Sequence, residues 1–231
     1  MESEHSSKEQ MAAGYDQVAT EYMEWARSRP DGMKHRVEIL EKLLTQLGVN
    51  EPEPRRNLKV LELGCGAGEP ATLALAAHPA IDHIFANDFS ATQLEMLRDN
   101  LSKLQSGAFS GKVECAHGDM TKLEYEAGSL DAVLAYYSII HLTQDEQTKM
   151  VSRIHEWLKP GTGQFLCCFG LEENAGATNN NWLGMKAFWS SHGQEKSLKM
   201  VADAGFEVVH QEITHDPADA SFLWVIVKKK P

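Results

Sequence analysis

The sequence has no apolar run long enough to cross a membrane, no CxxC pair, no internal repeat and too few cations to balance its acids. Each absence excludes a class of function. Without a stretch of about 20 apolar residues, no membrane association is expected. The N-terminus is rich in Glu, Ser and Lys, so no signal peptide is expected either. Lys and Arg number 22 against 33 Asp and Glu, a net charge of −11. Nucleic acid is therefore not an expected partner, because phosphates must be neutralised by cations. The short Lys228–Lys230 run reads as a solvated strand end. Of the four cysteines, Cys65, Cys115, Cys167 and Cys168, none has metal-ligand spacing. Cys115 and His117 would make half a metal site with no second half, so no metal is expected. Cys115 and Cys167, in apolar runs, read as reduced core residues of a cytoplasmic protein.

What is present is the alternation of a layered α/β protein. At 231 residues and 42% hydrophobic side chains, the chain suits one sizeable domain. Residues 1–8 are polar and expected to be disordered. Met11, Tyr15, Val18, Tyr22 and Trp25 recur three or four apart, predicting a helix over residues 9–26. Pro30–Gly32 breaks it, and a second helix over 34–47 stops at Gly48. Strands are then predicted at 81–87, 112–116, 130–136 and 163–169, interleaved with helices at 91–104 and 144–158. This order implies right-handed crossovers and a mainly parallel sheet covered on both faces. Residues 171–192, rich in Asn, Gly and large apolar side chains, read as an irregular insertion. A helix over 194–204 precedes strands at 206–213 and 222–228. With only a short turn around Pro217 between them, those strands should form an antiparallel hairpin.

Residues 58–68, Leu-Lys-Val-Leu-Glu-Leu-Gly-Cys-Gly-Ala-Gly, carry the most information. An apolar run ends in Glu62, breaks into Gly64, Gly66 and Gly68, and leads into a helix-compatible stretch over 69–78. That is a buried strand, a tight turn and a helix N-terminus, where backbone can approach a ligand closely. A dinucleotide site must be weighed first. Residues 66–71 fit GxGxxA, and Asp88 lies twenty residues past Gly68, where an acid would bind a ribose. Against it, Glu62 would face an anionic pyrophosphate, and no Tyr-x-x-x-Lys pair is present. An acid at the strand end suits a ligand with cationic or donor groups.

Here the chain resembles the class I S-adenosylmethionine-dependent methyltransferases of small molecules. The likeness rests on residues 60–68 and four later points, and spans about residues 10–230. It implies a Rossmann-like, doubly wound seven-stranded α/β sheet whose last strand is antiparallel, with an N-terminal helical cap. It divides the chain into a cap (9–48), a cofactor-binding core (58–170), an insertion or lid (171–192) and a C-terminal helix and hairpin (193–231). The family's glycine loop wraps the methionine part of the cofactor, which assigns Glu62, Gly64, Cys65, Gly66 and Gly68 to that site. Asp88 falls where the family's acid accepts from both ribose hydroxyls, and Phe89 would cover an adenine face. Asp119 and Met120 match the adenine-reading segment. Tyr136 would touch the methionine end, and Tyr15 and Tyr22, on the cap, would approach the carboxylate or sulfonium.

His141, beyond the fourth strand, would point at the acceptor and serve as its base. Tyr137, Trp182, Met185 and Trp189 would wall the acceptor pocket. The implied reaction moves a methyl group from S-adenosyl-L-methionine to an O, N or S nucleophile, leaving S-adenosyl-L-homocysteine. The partner is a small-molecule methyl acceptor, and the protein a monomer or homodimer. An NAD(P)-dependent reductase and a non-catalytic cofactor-binding regulator remain alternatives.

Overall fold

The computed structural model describes residues 4–104, 111–215 and 220–231, with side chains from Lys8 onward. Helices α1 (Glu4–Gln17), α2 (Ala19–Arg27) and α3 (Pro30–Gln46) lead into β1 (Leu58–Leu63), α4 (Ala71–Ala77), β2 (Ile81–Asp88) and α5 (Ala91–Lys103). There follow β3 (Val113–His117), β4 (Ala132–Ala135), α6 (Gln144–Trp157), β5 (Gln164–Gly170), β6 (Glu173–Trp182) and β7 (Met185–His192). The chain closes with α7 (Gly193–Asp203), β8 (Phe206–His215) and β9 (Ser221–Lys229).

Seven strands form one sheet in the order β3-β2-β1-β4-β5-β9-β8. The first five pair in parallel, and β9 runs antiparallel to both β5 and β8. The expected seven-stranded sheet with its antiparallel last strand is thus present. The turn around Pro217 lies outside the described residues. Strand β4 is wholly buried and β5 nearly so, which is why both read as continuous apolar runs. At the amino end of β4, buried Asp131 accepts from Arg55 (2.5 Å), Lys159 (2.8 Å) and the Lys59 N–H (3.0 Å).

Four expectations need correction. Residues 4–8 are not disordered: they are the first turns of α1, and Lys8 reaches across to Asp119 and Glu146 of the core. The helix expected over 9–26 is two helices, parted at Val18. Pro30–Gly32, expected as the break between the two helices, is instead the first turn of α3, because a first-turn residue has no intrahelical use for its N–H. The insertion is a regular antiparallel hairpin, β6–β7, and not an irregular loop. Leu183 and Gly184 close it with φ of 50° and 88°, the left-handed pair of a two-residue turn.

Asp16 ties the cap to the core. It accepts from the Ser90 hydroxyl at 2.6 Å and the Thr92 N–H at 3.0 Å, over the N-terminus of α5. Burial opposes its charge, yet these bonds outweigh that and hold its carboxyl below the usual range.

The turn after β1 depends on Gly64, at φ 69°. A Cβ there would collide with the side chain of Ser138, whose hydroxyl donates to the Leu63 carbonyl at 2.6 Å. Gly64→Ala should therefore cost about 2 kcal/mol or more, from steric overlap and the left-handed backbone together. Urea unfolding measures this, and a variant as stable as the parent would show that the contact yields freely.

Candidate active site

The strand order reverses between β1 and β4, which opens a crevice at the carboxyl ends of the strands. An inner cleft of about 680 Å³ lies there. Each loop contributes residues to it: Gly64 and Gly66 after β1, Asp88 and Phe89 at β2, Asp119 and Met120 after β3, and Tyr136 to Ser138 after β4. Helix α1 closes it from above with Lys8, Met11 and Tyr15, and α2 adds Tyr22. A wider outer cleft of about 1960 Å³ runs between the cap and the β6–β7 hairpin, and Trp182 and Trp189 line it. Tyr15, Tyr22, Tyr137 and His141 line both clefts and so mark where the two meet.

Four residues assigned from sequence do not line either cleft. Glu62 is buried behind the strand end, where its carboxylate accepts from the Thr72 hydroxyl of α4. Cys65 is buried in the main core. Gly68 serves packing, since a Cβ there would strike Leu97 of α5. Met185 is buried against Gly14 of α1, pinning the hairpin to the cap.

Asp88 is fully enclosed and accepts from the Gly66 N–H at 2.8 Å and the Ser90 N–H at 2.9 Å. Burial pushes its carboxyl up to about 6 despite these bonds, with Asp16 adding to the rise. Asp119 caps a short 3-10 turn, taking the Thr121 N–H at 2.8 Å and the Lys8 ammonium at 3.2 Å. Tyr137 has φ of 52°, a strained conformation for a bulky side chain, held by the turn that brings it to both clefts.

His141 sits in a defined tautomer. Its Nδ1 lies 2.8 Å from the Phe188 carbonyl, which can only accept, so Nδ1 carries the hydrogen. The Nε2 lone pair then accepts from the Tyr15 hydroxyl at 3.0 Å. Burial pushes the imidazole down to about 4, and the Phe188 bond only partly opposes this. The ring is neutral at physiological pH.

Sequence reasoning missed several cleft residues. Asn87 donates to the carbonyls of Ala116 and Gly118 at 2.8 and 2.9 Å and so fixes the loop after β3. Its place beside Asp88 was the one available signal. Gln93, in the first turn of α5, is buried with both amide atoms unpaired among the described residues. Lys8 was lost because its segment read as a polar tail.

Residues 60–161 match the family model of a methyltransferase domain. Over that span the chain resembles a methyltransferase domain. It is 32% identical over 128 residues to a demethylmenaquinone methyltransferase of Leptospira interrogans, covering 55% of this chain and 47% of that protein. The chain spans about half the length of the first curated relatives it matches. Among solved structures, the DhpI–SAH complex superposes with a TM-score of 0.70 at 18% identity, covering 99% of this chain and 100% of that one. A Burkholderia thailandensis 1,6-didemethyltoxoflavin N1-methyltransferase, with that acceptor and S-adenosylhomocysteine bound, gives 0.69 at 16% identity over 100% and 92%.

The inner cleft has groups that suit an adenosyl sulfonium. The Asp88 oxygens keep lone pairs for hydroxyl donors, and the unpaired Gln93 amide lines the same cleft. Gly118 has open space where a Cβ would stand. Among the described residues, no group of three or more His, Cys, Asp or Glu could hold a metal ion.

Glu62 offers a test of the ground beneath the cleft. Burial, reinforced by Asp88, lifts its carboxyl to about 8, although the Thr72 hydrogen bond and Arg36 oppose the rise. The folded state then holds a proton that the unfolded chain releases from about pH 4.5 upward, so this contribution to stability falls as pH rises through 8. Glu62→Gln removes that titration. Its stability relative to the parent should improve between about pH 6 and about pH 9 in urea unfolding. A constant difference would mean the carboxyl is ionised throughout.

Proposed function

We propose that this protein is an S-adenosyl-L-methionine-dependent methyltransferase acting on an O, N or S nucleophile of a small-molecule acceptor. The observation that carries the reading is the meeting of two clefts at Tyr15, Tyr22, Tyr137 and His141. One cleft has the donor set for the cofactor, and the other is wide and aromatic. When bound, S-adenosyl-L-methionine supplies an activated methyl group on a sulfonium. The chain's own task is then mainly to align an acceptor with that methyl, where positioning alone can be worth an effective molarity of about 10⁵ M or more.

In this reading Asp88 holds the ribose hydroxyls, Phe89 and Met120 flank the adenine, and Asp119 accepts from its amine beside Lys8. Gly64, Gly66, Tyr136 and Ser138 border the methionine end. Tyr15 and Tyr22 present aromatic surface to the sulfonium, which favours a cation. His141 is neutral, with its one lone pair directed at the Tyr15 hydroxyl. An acceptor O–H or N–H that donates to the Tyr15 oxygen has a route for its proton, since the Tyr15 hydrogen can pass to Nε2 as the acceptor's proton replaces it. Trp182, Trp189 and Tyr137 wall the acceptor side and exclude water. No described helix is long and apolar enough to cross a membrane. None of the four cysteines is in a disulfide, in keeping with a cytoplasmic enzyme.

The test separates cofactor from chemistry. Calorimetry should detect S-adenosyl-L-homocysteine and not NADPH, and Asp88→Ala should weaken the former about tenfold or more. With labelled S-adenosyl-L-methionine and an acceptor panel, His141→Ala should lower turnover about 100-fold at nearly unchanged cofactor affinity. Turnover equal to the parent would remove His141 from catalysis. NADPH binding in place of S-adenosyl-L-homocysteine would turn the assignment to a reductase.

A further inference from the structure

Arg36 forms no ion pair among the described residues. It projects from α3 into the outer cleft, and its Nε is buried with no hydrogen-bond partner. Its guanidinium carbon lies 4.6 Å from the centre of the Tyr137 ring, and Nη1 lies 3.9 Å from the Met33 sulfur. Among the described residues, no carboxylate lies within ion-pair distance of it. Glu172 lines the same cleft but is exposed at its rim. A guanidinium stays charged under all physiological conditions, and its planar fork of donors matches a carboxylate. Leaving such a group largely desolvated and unpaired is costly unless something else pairs with it.

Place and surroundings narrow what that something is. Tyr137, on which the guanidinium lies, lines both clefts. A group bound at Arg36 therefore sits beside the junction where Tyr15 and His141 meet. The remaining walls are flat and apolar: Trp25, Trp182, Trp189 and Phe222. Trp182 packs edge-on against both Trp25 and Trp189, with ring centroids 5.7 Å apart in each pair.

We propose that the acceptor is a flat, mainly apolar molecule bearing a carboxylate, and that Arg36 selects it by pairing with that carboxylate. This inference rests on the methyltransferase reading, since it names the substrate class of the same site. The aromatic walls take the planar body, and the guanidinium takes the acid. The nucleophile is then presented at the Tyr15–His141 pair.

The experiment uses the full chain saturated with S-adenosyl-L-homocysteine and follows quenching of tryptophan fluorescence. The probes are matched acids and primary amides: hydroxynaphthoate and hydroxynaphthamide, indoleacetate and indoleacetamide, salicylate and salicylamide. At least one acid should bind about tenfold or more tightly than its own amide. Arg36→Lys should keep part of that preference and Arg36→Met should abolish it, with S-adenosyl-L-homocysteine affinity in each variant reporting an intact fold. If no acid binds better than its amide, the carboxylate assignment falls. A preference surviving in Arg36→Met removes Arg36 from the recognition. Failure of the parent to bind S-adenosyl-L-homocysteine would instead overturn the methyltransferase reading on which the inference stands.

Discussion

Everything at the site depends on how closely the chain segments leaving β1 and β4 can approach each other. Gly64 has no side chain, so the Ser138 side chain packs against its backbone, and the serine hydroxyl bonds the Leu63 carbonyl. That contact joins the two loops at the reversal of strand order. It also places Tyr136 and Tyr137 on one side of the crevice and the glycine turn on the other. From there the turn reaches Asp88, which accepts the Gly66 N–H, and Asp88 reaches α5 through Ser90. The loops after β1, β2 and β4 are therefore one bonded unit and not three independent loops.

Over this unit sits a second, smaller core. Met11, Val18, Met185 and Ala187 are buried together, with Tyr15, Tyr22, Phe89, Trp182 and Trp189 packed around them. The cap and the hairpin thus share an apolar interior separate from the sheet's. Polar ties join this layer to the domain beneath from both of its parts: Asp16 at the α5 terminus, Lys8 at Asp119 and Glu146, Tyr15 at His141 and, from the hairpin, the Phe188 carbonyl at His141 and Ser190 at Leu142 and Gln147. The aromatic side chains of the layer form walls of the two clefts.

Much of the framework was legible because it is written in local patterns. The glycine turn, Asp88 at the strand end and the antiparallel closing pair each follow from spacing along a few residues. The errors have equally local causes. Pro30 was taken as a breaker, although proline breaks a helix only away from its first turn. The β6–β7 hairpin was hidden by asparagines and by scarce β-branched residues, which lower strand propensity without forbidding pairing. Glu62 was placed at the ligand because it precedes the turn, but its side chain goes to Thr72 on the other side. Met185 belonged to an aromatic-rich run, yet its register turns it towards Gly14.

By itself the sequence determined the succession of strands and helices, the turn that can hold a ligand and the acid that follows it. These are set by backbone conformation and by periodicities that neighbouring residues share. Only the tertiary structure decided which acids face the cleft and which support it from behind. It alone brought Tyr15 to His141 across 126 residues and laid Arg36 on Tyr137. Such pairings depend on how whole elements pack, and packing answers to contacts between distant parts of the chain that no local pattern contains.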